Sequence, residues 1–279
     1  MDETFSSIDL VTQCLLDWKR TDKFDKAIRK AVKPGSVVLD AGTGSGILAL
    51  FAARAGAKKV YSVEFDPYVA KLARQNVINN GYEDVVQVIL GDARNIHLPA
   101  GEKVDVVIME MLTTGMVDEF QVWAVNRLHE KGYITKDTKF LPYKNDTYVS
   151  LTQTDYMDHG FNMRMVKHFW SFLPKPKIKV LAKPDLLNSV LFDQKNNMQH
   201  SSTHVFEIKK KGVLNSIYLN SVTWLDEKIP VEDTLALNGP VSFPLEADLE
   251  VRKGDKVELS VEYEFGNGFR NFKVSATKV

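Results

Sequence analysis

A single cysteine, Cys14, occurs in 279 residues. One thiol excludes a disulfide framework and leaves no thiolate set for a structural metal. An excess of either charge is lacking too. The 36 Lys and Arg face 36 Asp and Glu, so no net field would hold the chain on nucleic acid or on an acidic membrane. Nucleic acid is therefore unsupported as a partner. No apolar run approaches the roughly 20 residues that cross a bilayer. The first residues, Met1-Asp2-Glu3-Thr4, are acidic where a secretory leader would be basic and then apolar. These absences predict a soluble, cytoplasmic protein without a membrane segment. No internal repeat or low-complexity stretch stands out. Apolar residues are plentiful, 44% of the chain, enough for one large core or two modest ones. Two domains are expected.

The most informative stretch runs from Ser36 to Asp66. Val37-Val38-Leu39 is a short apolar run, Asp40-Ala41-Gly42-Thr43-Gly44-Ser45-Gly46 is a glycine-rich turn, and residues 47–55 read as a helix closed by Gly56. Strand, turn and helix follow one another. Alternating glycines let a backbone approach a ligand closely. A dinucleotide fingerprint would place a third glycine where Ile47 stands, and no Lys-Ser/Thr follows to make a phosphate-binding loop. Asp40 would repel a pyrophosphate and suits a cationic ligand. A second strand, Val60-Tyr61-Ser62-Val63, ends in Glu64, a carboxylate placed to accept both hydroxyls of a ribose. The ligand so described is a nucleoside carrying positive charge, and S-adenosylmethionine fits.

With VVLDAGTGSG and VYSVE as its first two motifs, the chain resembles the class I, Rossmann-like, S-adenosylmethionine-dependent methyltransferases. The alternative is a NAD-binding or purely structural βαβ unit. The resemblance implies that Asp40, Gly42, Gly44, Gly46 and Glu64 hold the cofactor. It also points to Asp92, in Gly91-Asp92-Ala93 after a third strand at Val85 to Leu90, as the acidic residue on the adenine amino group. A loop carboxylate capping a turn is the ordinary reading of Asp92. Before the glycine turn, apolar residues at Ile8, Val11, Leu15 and Leu16, and again at Phe24, Ala27, Ile28 and Ala31, predict two helices as a lid or packing layer. Between them, Arg20-Thr21 is similar to a segment of the protein arginine methyltransferases whose arginine binds the cofactor's carboxylate. The intervening spacing is one residue shorter here, and a solvated surface arginine is the alternative for Arg20.

A fourth strand, Val104 to Met109, should end beside the first in the doubly wound order, so the residues after Met109 should face the transferred methyl group. They include Glu110 and Glu119. Arginine methyltransferases carry two glutamates at this spacing, and the resemblance implies that both clamp the substrate guanidinium, whose planar donor fork matches carboxylates. Glu119 has a second reading as a favourable charge at the start of the helix that runs to Leu128. That family follows its first glutamate with Trp-Met-Gly-Tyr, where this chain has Met111-Leu112-Thr113-Thr114. The adenine-binding glutamate of the family is replaced by Arg94. No Asn/Asp-Pro-Pro-Tyr/Phe follows the strand, which disfavours exocyclic base amines and glutamine amides as acceptors.

A fifth strand is expected around Tyr133 to Phe140. Beyond Pro142 the chain alternates polar and apolar residues between turns, at residues 147–151, 203–208, 216–220, 249–251, 257–263 and 271–274, with hairpin turns at Lys253-Gly254-Asp255 and Gly266-Asn267-Gly268. The expected organisation is N-terminal helices at 1–34, a Rossmann-like parallel α/β domain at 35–142 and a β-barrel or sandwich at 143–279. Arginine methyltransferases show the same succession, and the resemblance persists at residues 160–163 and 243–255. Their Thr-His-Trp loop should fall near Leu235 to Gly239, where no histidine stands. The stretch before Gly160 is too short for their full dimerisation arm, which weakens the homodimer the resemblance would imply. His200 and His204 sit in a loop-to-strand context that favours no metal. The basic runs at 173–179 and 209–211 read as solvated edges, and Phe169, Trp170 and Phe172 as core rather than a partner surface. The functional expectation is methyl transfer to a nitrogen of a protein or small-molecule acceptor, with Glu110 and Glu119 at the nucleophile. The alternatives are a lysine or small-molecule methyltransferase on this scaffold and a catalytically silent, cofactor-binding adaptor.

Overall fold

The computed structural model describes residues 8–169, 177–232 and 239–279. Five parallel strands, β1 (Val37–Ala41), β2 (Lys59–Glu64), β3 (Val86–Leu90), β4 (Val106–Met109) and β5 (Lys139–Leu141), lie in the order β3-β2-β1-β4-β5. Both faces of such a sheet are covered by helices, which is why β4 reads as an unbroken apolar run rather than an alternation. Every residue of β4 is buried. Winding reverses between β1 and β4, where Ala41 pairs with Met109, while Ala41 pairs with Val63 on the other side. Gly42, Glu64 and Glu110 therefore leave the sheet side by side.

The helices follow from caps and apolar spacing. In α2 (Trp18–Ala31) the Asp17 side chain accepts the Arg20 N–H at 3.1 Å. Phe24, Ala27, Ile28 and Ala31, spaced for one helical face, are buried. This face meets α3 (Ile47–Arg54) and the back of the sheet in one apolar cluster. Asp66 caps α4 (Pro67–Asn79) by accepting from Tyr68 and Val69, with Pro67 in the first helical position. Ahead of them lies α1 (Ile8–Leu16), which buries none of its residues fully. The helix after the fourth strand, α5 (Gln121–Lys131), begins two residues beyond Glu119 and ends at Gly132 in the left-handed region.

The fifth strand is shorter than its sequence suggests. Thr135 to Thr138 close on themselves, with Thr138 N–H donating to Thr135 C=O at 3.1 Å and Thr135 N–H to Thr138 Oγ1 at 2.8 Å, so pairing starts at Lys139. Hydroxyl-to-backbone bonds have displaced the ladder there.

From β6 (Lys144–Thr154) onward the structure is antiparallel. The long strand Gly212–Asp226 pairs with β6 on one side and with Val241–Val251 on the other. A further sheet joins Gln199–Glu207, Lys256–Glu264 and Lys273–Lys278. The last of these starts two residues later than expected, because Phe269–Asn271 form a 3-10 turn. The shortened arm is a small hairpin, Met157–Asp158 against Phe161–Asn162. Of the segments singled out by sequence, residues 1–4, 170–176 and 235–238 lie outside the described residues. One apolar cluster runs unbroken from Leu39 and Met109 through Met116 to Leu219 and Tyr263, so the α/β sheet and the β-rich half share a core.

Candidate active site

A cleft opens at the carboxyl ends of β1 to β4, and Arg20, Gly42, Gly44, Glu64, Asp92, Glu110 and Glu119 all line it. The structure brings together seven of the nine residues that the sequence singles out. The other two, Asp40 and Gly46, are not on the lining.

Asp40 lies off the lining. Its carboxylate is buried beneath the glycine turn, where Oδ2 accepts the Thr43 hydroxyl and lies 3.5 Å from Ser62 Oγ. Burial, against those hydroxyls and with Glu64 nearby, pushes the Asp40 carboxyl up to about 7. Asp40 shapes the turn from below. Gly46 likewise serves the fold: it ends the turn in the left-handed region at φ 86° and stands before α3, with Ala73 of α4 as its neighbour.

Gly42 and Gly44 face the cleft. A Cβ on Gly42 would lie 3.2 Å from Met111 Cγ, and one on Gly44 3.5 Å from Val11 Cγ1, so a side chain at either would fill the floor. The turn is tied to β2 by Gly42 and Thr43 N–H groups donating to Val63 C=O at 2.9 and 3.0 Å. Glu64 is buried at the end of β2. Its Oε1 accepts the Phe65 and Asp66 N–H groups at 2.9 and 3.0 Å, and its Oε2 accepts Gly44 N–H at 2.9 Å. Two donors fill the lone-pair sites of Oε1, and Oε2, with one donor, keeps a lone pair for a ligand hydroxyl.

Asp92 is partly occupied by a neighbour. Arg94 Nε lies 3.0 Å from both of its oxygens and Nη2 2.6 Å from Oδ2. Burial works against the charge on Asp92, but Arg94 holds the carboxyl below the usual range. The same guanidinium stacks over Phe120 at 4.4 Å and reaches Trp123 at 5.9 Å. Sequence reasoning missed this link between the adenine side of the cleft and the start of α5, since 26 residues separate Arg94 from Phe120 (120 − 94 = 26).

Arg20 is buried in the first turn of α2, not solvated on a surface turn. Nη1 pairs with Glu110 Oε2, Nη2 donates to Cys14 C=O at 2.7 Å, and Nε is buried with no partner among the described residues. Burial opposes its charge, but Glu110, with Cys14 and Asp17, outweighs it and raises the guanidinium above its usual range. On Glu110 burial wins over the pull of Arg20 and raises the carboxyl. Glu119 stands one residue ahead of Phe120, the N-cap of α5; its carboxylate accepts the Phe120 N–H and also lines the cleft. Burial, then repulsion from Glu110, push Glu119 up to about 8. Gln121, fully buried, accepts Met111 N–H on Oε1 at 2.9 Å and so ties the two ends of the segment between the glutamates; a polar first residue of α5 gave no sign of this.

No group of three or more metal-ligating side chains lies together among the described residues. His200 and His204 each have Nε2 3.0 Å from Ser202 Oγ, and His204 Nδ1 lies 2.8 Å from Asp185 Oδ2. No helix among the described residues is long and apolar enough to cross a membrane.

The winding order, the glycine turn and the acid that ends β2 define a doubly wound enzyme built for a nucleoside-type cofactor. A family model described as ribosomal protein L11 methyltransferase (PrmA) matches residues 21–137. An uncharacterized protein of Methanocaldococcus jannaschii, MJ1452, is 33% identical over 261 residues, 94% of each chain. The histone-arginine methyltransferase CARMER of Anopheles gambiae is 38% identical over 182 residues, 64% of this chain and 28% of its own. For protein arginine N-methyltransferase 1 of Oryza sativa subsp. indica the figures are 31% over 177 residues, 59% of this chain and 45% of its own. The chain thus spans less than half the length of these arginine methyltransferases. Among solved structures, a chain of the Trypanosoma brucei PRMT1 enzyme-prozyme heterotetrameric complex with AdoHcy superposes with a TM-score of 0.76 at 20% identity, covering 99% of this chain and 98% of that one. Arabidopsis thaliana protein arginine methyltransferase 10 gives 0.75 at 20% identity with the same coverage. The chain belongs to the class I S-adenosylmethionine-dependent methyltransferases and is arginine methyltransferase-like.

Proposed function

We propose that the protein methylates a guanidinium nitrogen of a protein or peptide. Residues 1–34 would cover the cofactor, 35–142 bind it and 143–279 shape the acceptor side. The observation that carries this reading is the placement of Glu110 and Glu119, from the two ends of one segment, in the same cleft as the glycine turn and Glu64.

The residues present suit S-adenosylmethionine. Gly42 and Gly44 make a floor that a Cβ would fill, Glu64 offers the remaining lone pair of Oε2 to a ribose hydroxyl, and Arg20 has a buried Nε that wants an acceptor such as a carboxylate. Asp92, oriented by Arg94, would meet the adenine amino group. The cofactor supplies an electrophilic methyl on a sulfonium. Glu110 and Glu119 do the rest by position: they accept the donor fork of a guanidinium and hold one nitrogen lone pair in line, since displacement at a methyl needs little acid or base help. As the N–CH3 bond forms the S–CH3 bond would break with its electron pair left on sulfur, and the surplus proton of the methylated nitrogen would pass to a neighbouring carboxylate and on to water, so neither glutamate need take a proton beforehand.

A second acceptor class, a lysine or small amine, is favoured by one feature. Met111-Leu112-Thr113-Thr114 supply none of the aromatics that wall a guanidinium in the arginine enzymes, and Leu112 to Thr114 are buried in the fold. Calorimetric titration with S-adenosylmethionine and S-adenosylhomocysteine comes first, followed by methyl transfer to arginine peptides, lysine peptides and small amines. Glu64→Ala should abolish cofactor binding. Glu110→Gln should retain it within about tenfold, because Arg20 is freed for the cofactor carboxylate, while transfer falls by at least about tenfold from the lost charge-assisted bond. No binding of either ligand overturns the methyltransferase reading. Binding without transfer, indifferent to Glu110→Gln, would assign an adaptor.

A further inference from the structure

Between the two glutamates the chain is tied at Met111 by Gln121 of its own domain, and its centre is held by the β-rich half. Thr114 Oγ1 donates to Gly239 C=O at 2.7 Å, and Gly115 N–H donates to Ser221 Oγ at 2.9 Å. Gly115 C=O accepts the Tyr263 hydroxyl at 2.8 Å across 148 residues of sequence. Next along, Met116 C=O accepts Gly266 N–H at 3.0 Å and Val117 C=O accepts Gly268 N–H at 2.9 Å. The segment so held is contorted. Gly115 has φ +73°, and Met116, fully buried, has φ +55°, a region that side-chain-bearing residues avoid. Such a backbone persists where surrounding structure over-determines it.

The pins are themselves rigid. Tyr263 is buried with its ring 5.0 Å from Phe272 and 5.3 Å from Phe265, centroid to centroid. Asn188 Nδ2 donates to its hydroxyl oxygen at 2.6 Å, which commits the phenolic proton to Gly115. Gly266, at φ +73°, brings the hairpin turn against the second glutamate: a Cβ there would stand 3.1 Å from Glu119 C=O and 3.3 Å from Phe120 Cδ1. The glycine turn on the cofactor side has separate supports, Val63 C=O and Glu64, both within the α/β half.

We propose that Tyr263 and the Gly266-Asn267-Gly268 turn are positioning residues for the acceptor: they set where Glu119 stands relative to Glu110, and so how a cationic nitrogen is aimed. The proposal rests on the methyltransferase reading. Two carboxylates that share one cation must be placed to within fractions of an ångström to aim it, and a segment with a strained centre does not hold such a spacing alone.

The test compares Tyr263→Phe and Gly266→Ala with Gly254→Ala. Gly254 also has a positive φ, +92°, in a hairpin turn, but nothing stands within 4 Å of its would-be Cβ. The control thus carries the same backbone penalty without touching the segment. Amide hydrogen exchange followed by mass spectrometry should speed up about tenfold in residues 110–121 for the first two variants and not for the control, with residues 40–50 unchanged in all three. S-adenosylhomocysteine affinity should stay within twofold throughout, and kcat/KM for an arginine peptide should fall ten- to a hundredfold in the first two alone. Unchanged exchange in 110–121, equal losses in Gly254→Ala, or faster exchange with unaltered kcat/KM overturns the proposal. A wild type that binds no S-adenosylhomocysteine overturns the methyltransferase reading instead, and the exchange comparison then decides by itself whether the pins set the segment.

Discussion

Glu119 carries a proton that the proposed chemistry does not want. Its carboxyl is pushed up to about 8, first by burial and then by Glu110, so near neutral pH most molecules hold it neutral. A cationic acceptor is bound by the ionised form. For the free enzyme, kcat/KM should therefore rise from about pH 7 and level off above about pH 8.5, and kcat should rise at lower pH, because a bound cation favours the carboxylate. Glu119→Gln should flatten both profiles and lower kcat/KM about ten- to a hundredfold. A wild-type kcat/KM profile already flat from pH 6 to 9 would contradict the assignment. Asp40 shows what a motif does not convey at this scale. The pattern of acid and alternating glycines marks the turn, but it is silent on which way the Asp40 side chain faces, and Thr43 and Ser62 turn it inward. Glu64, ending β2, was legible because a strand end exposes its last side chain to the crevice.

Helix α2 ties a local cap to the cofactor site. Asp17 is buried and accepts Arg20 N–H, fixing the first turn from which the Arg20 guanidinium reaches Glu110. Asp17→Ala should cost about 1 kcal/mol of stability, and it should weaken S-adenosylhomocysteine binding several-fold by letting Arg20 drift. Chemical denaturation and calorimetry on the same variant check both halves; a stability loss with unchanged affinity would separate the cap from the site. Elements with a clear apolar period could be read from sequence, as α2 was from Phe24, Ala27, Ile28 and Ala31. The fifth strand could not be placed as well, since Thr135 and Thr138 bond to nearby backbone and apolar spacing cannot see that. The pinned segment from Glu110 to Glu119 was harder still. Its contorted backbone at Gly115 and Met116 depends on Ser221, Tyr263 and Gly266, which no local pattern connects to it.

Taken whole, the molecule stores acid-side stability in its active-site carboxyls. Asp40, raised to about 7, and Glu119, raised to about 8, keep protons that the unfolded chain releases near pH 4. Between those limits the folded state binds more protons, so this contribution is fully present below about pH 4 and is lost as pH climbs through 7 and 8. Scanning calorimetry should find the melting temperature falling from pH 5 to pH 8.5, by an amount on the order of a few kcal/mol in stability. Asp40→Asn with Glu119→Gln should flatten that decline; a melting temperature that rises over the range would refute it. Below pH 4 the salt-bridged carboxyls held low, Asp92 with Arg94 and Asp226 with Lys30, pull the other way. At this scale the sequence conveys the succession of an α/β half and a β-rich half, while the single apolar cluster that joins them is a fact of packing. The joint has a consequence for biosynthesis. Every side chain lining the cleft has been synthesised once Phe120 is added, yet Glu119 is not fixed until the strand and turn that bear Tyr263 and Gly266 have followed. The order of synthesis therefore supplies the cofactor-side residues well before the last hairpin, which sets Glu119.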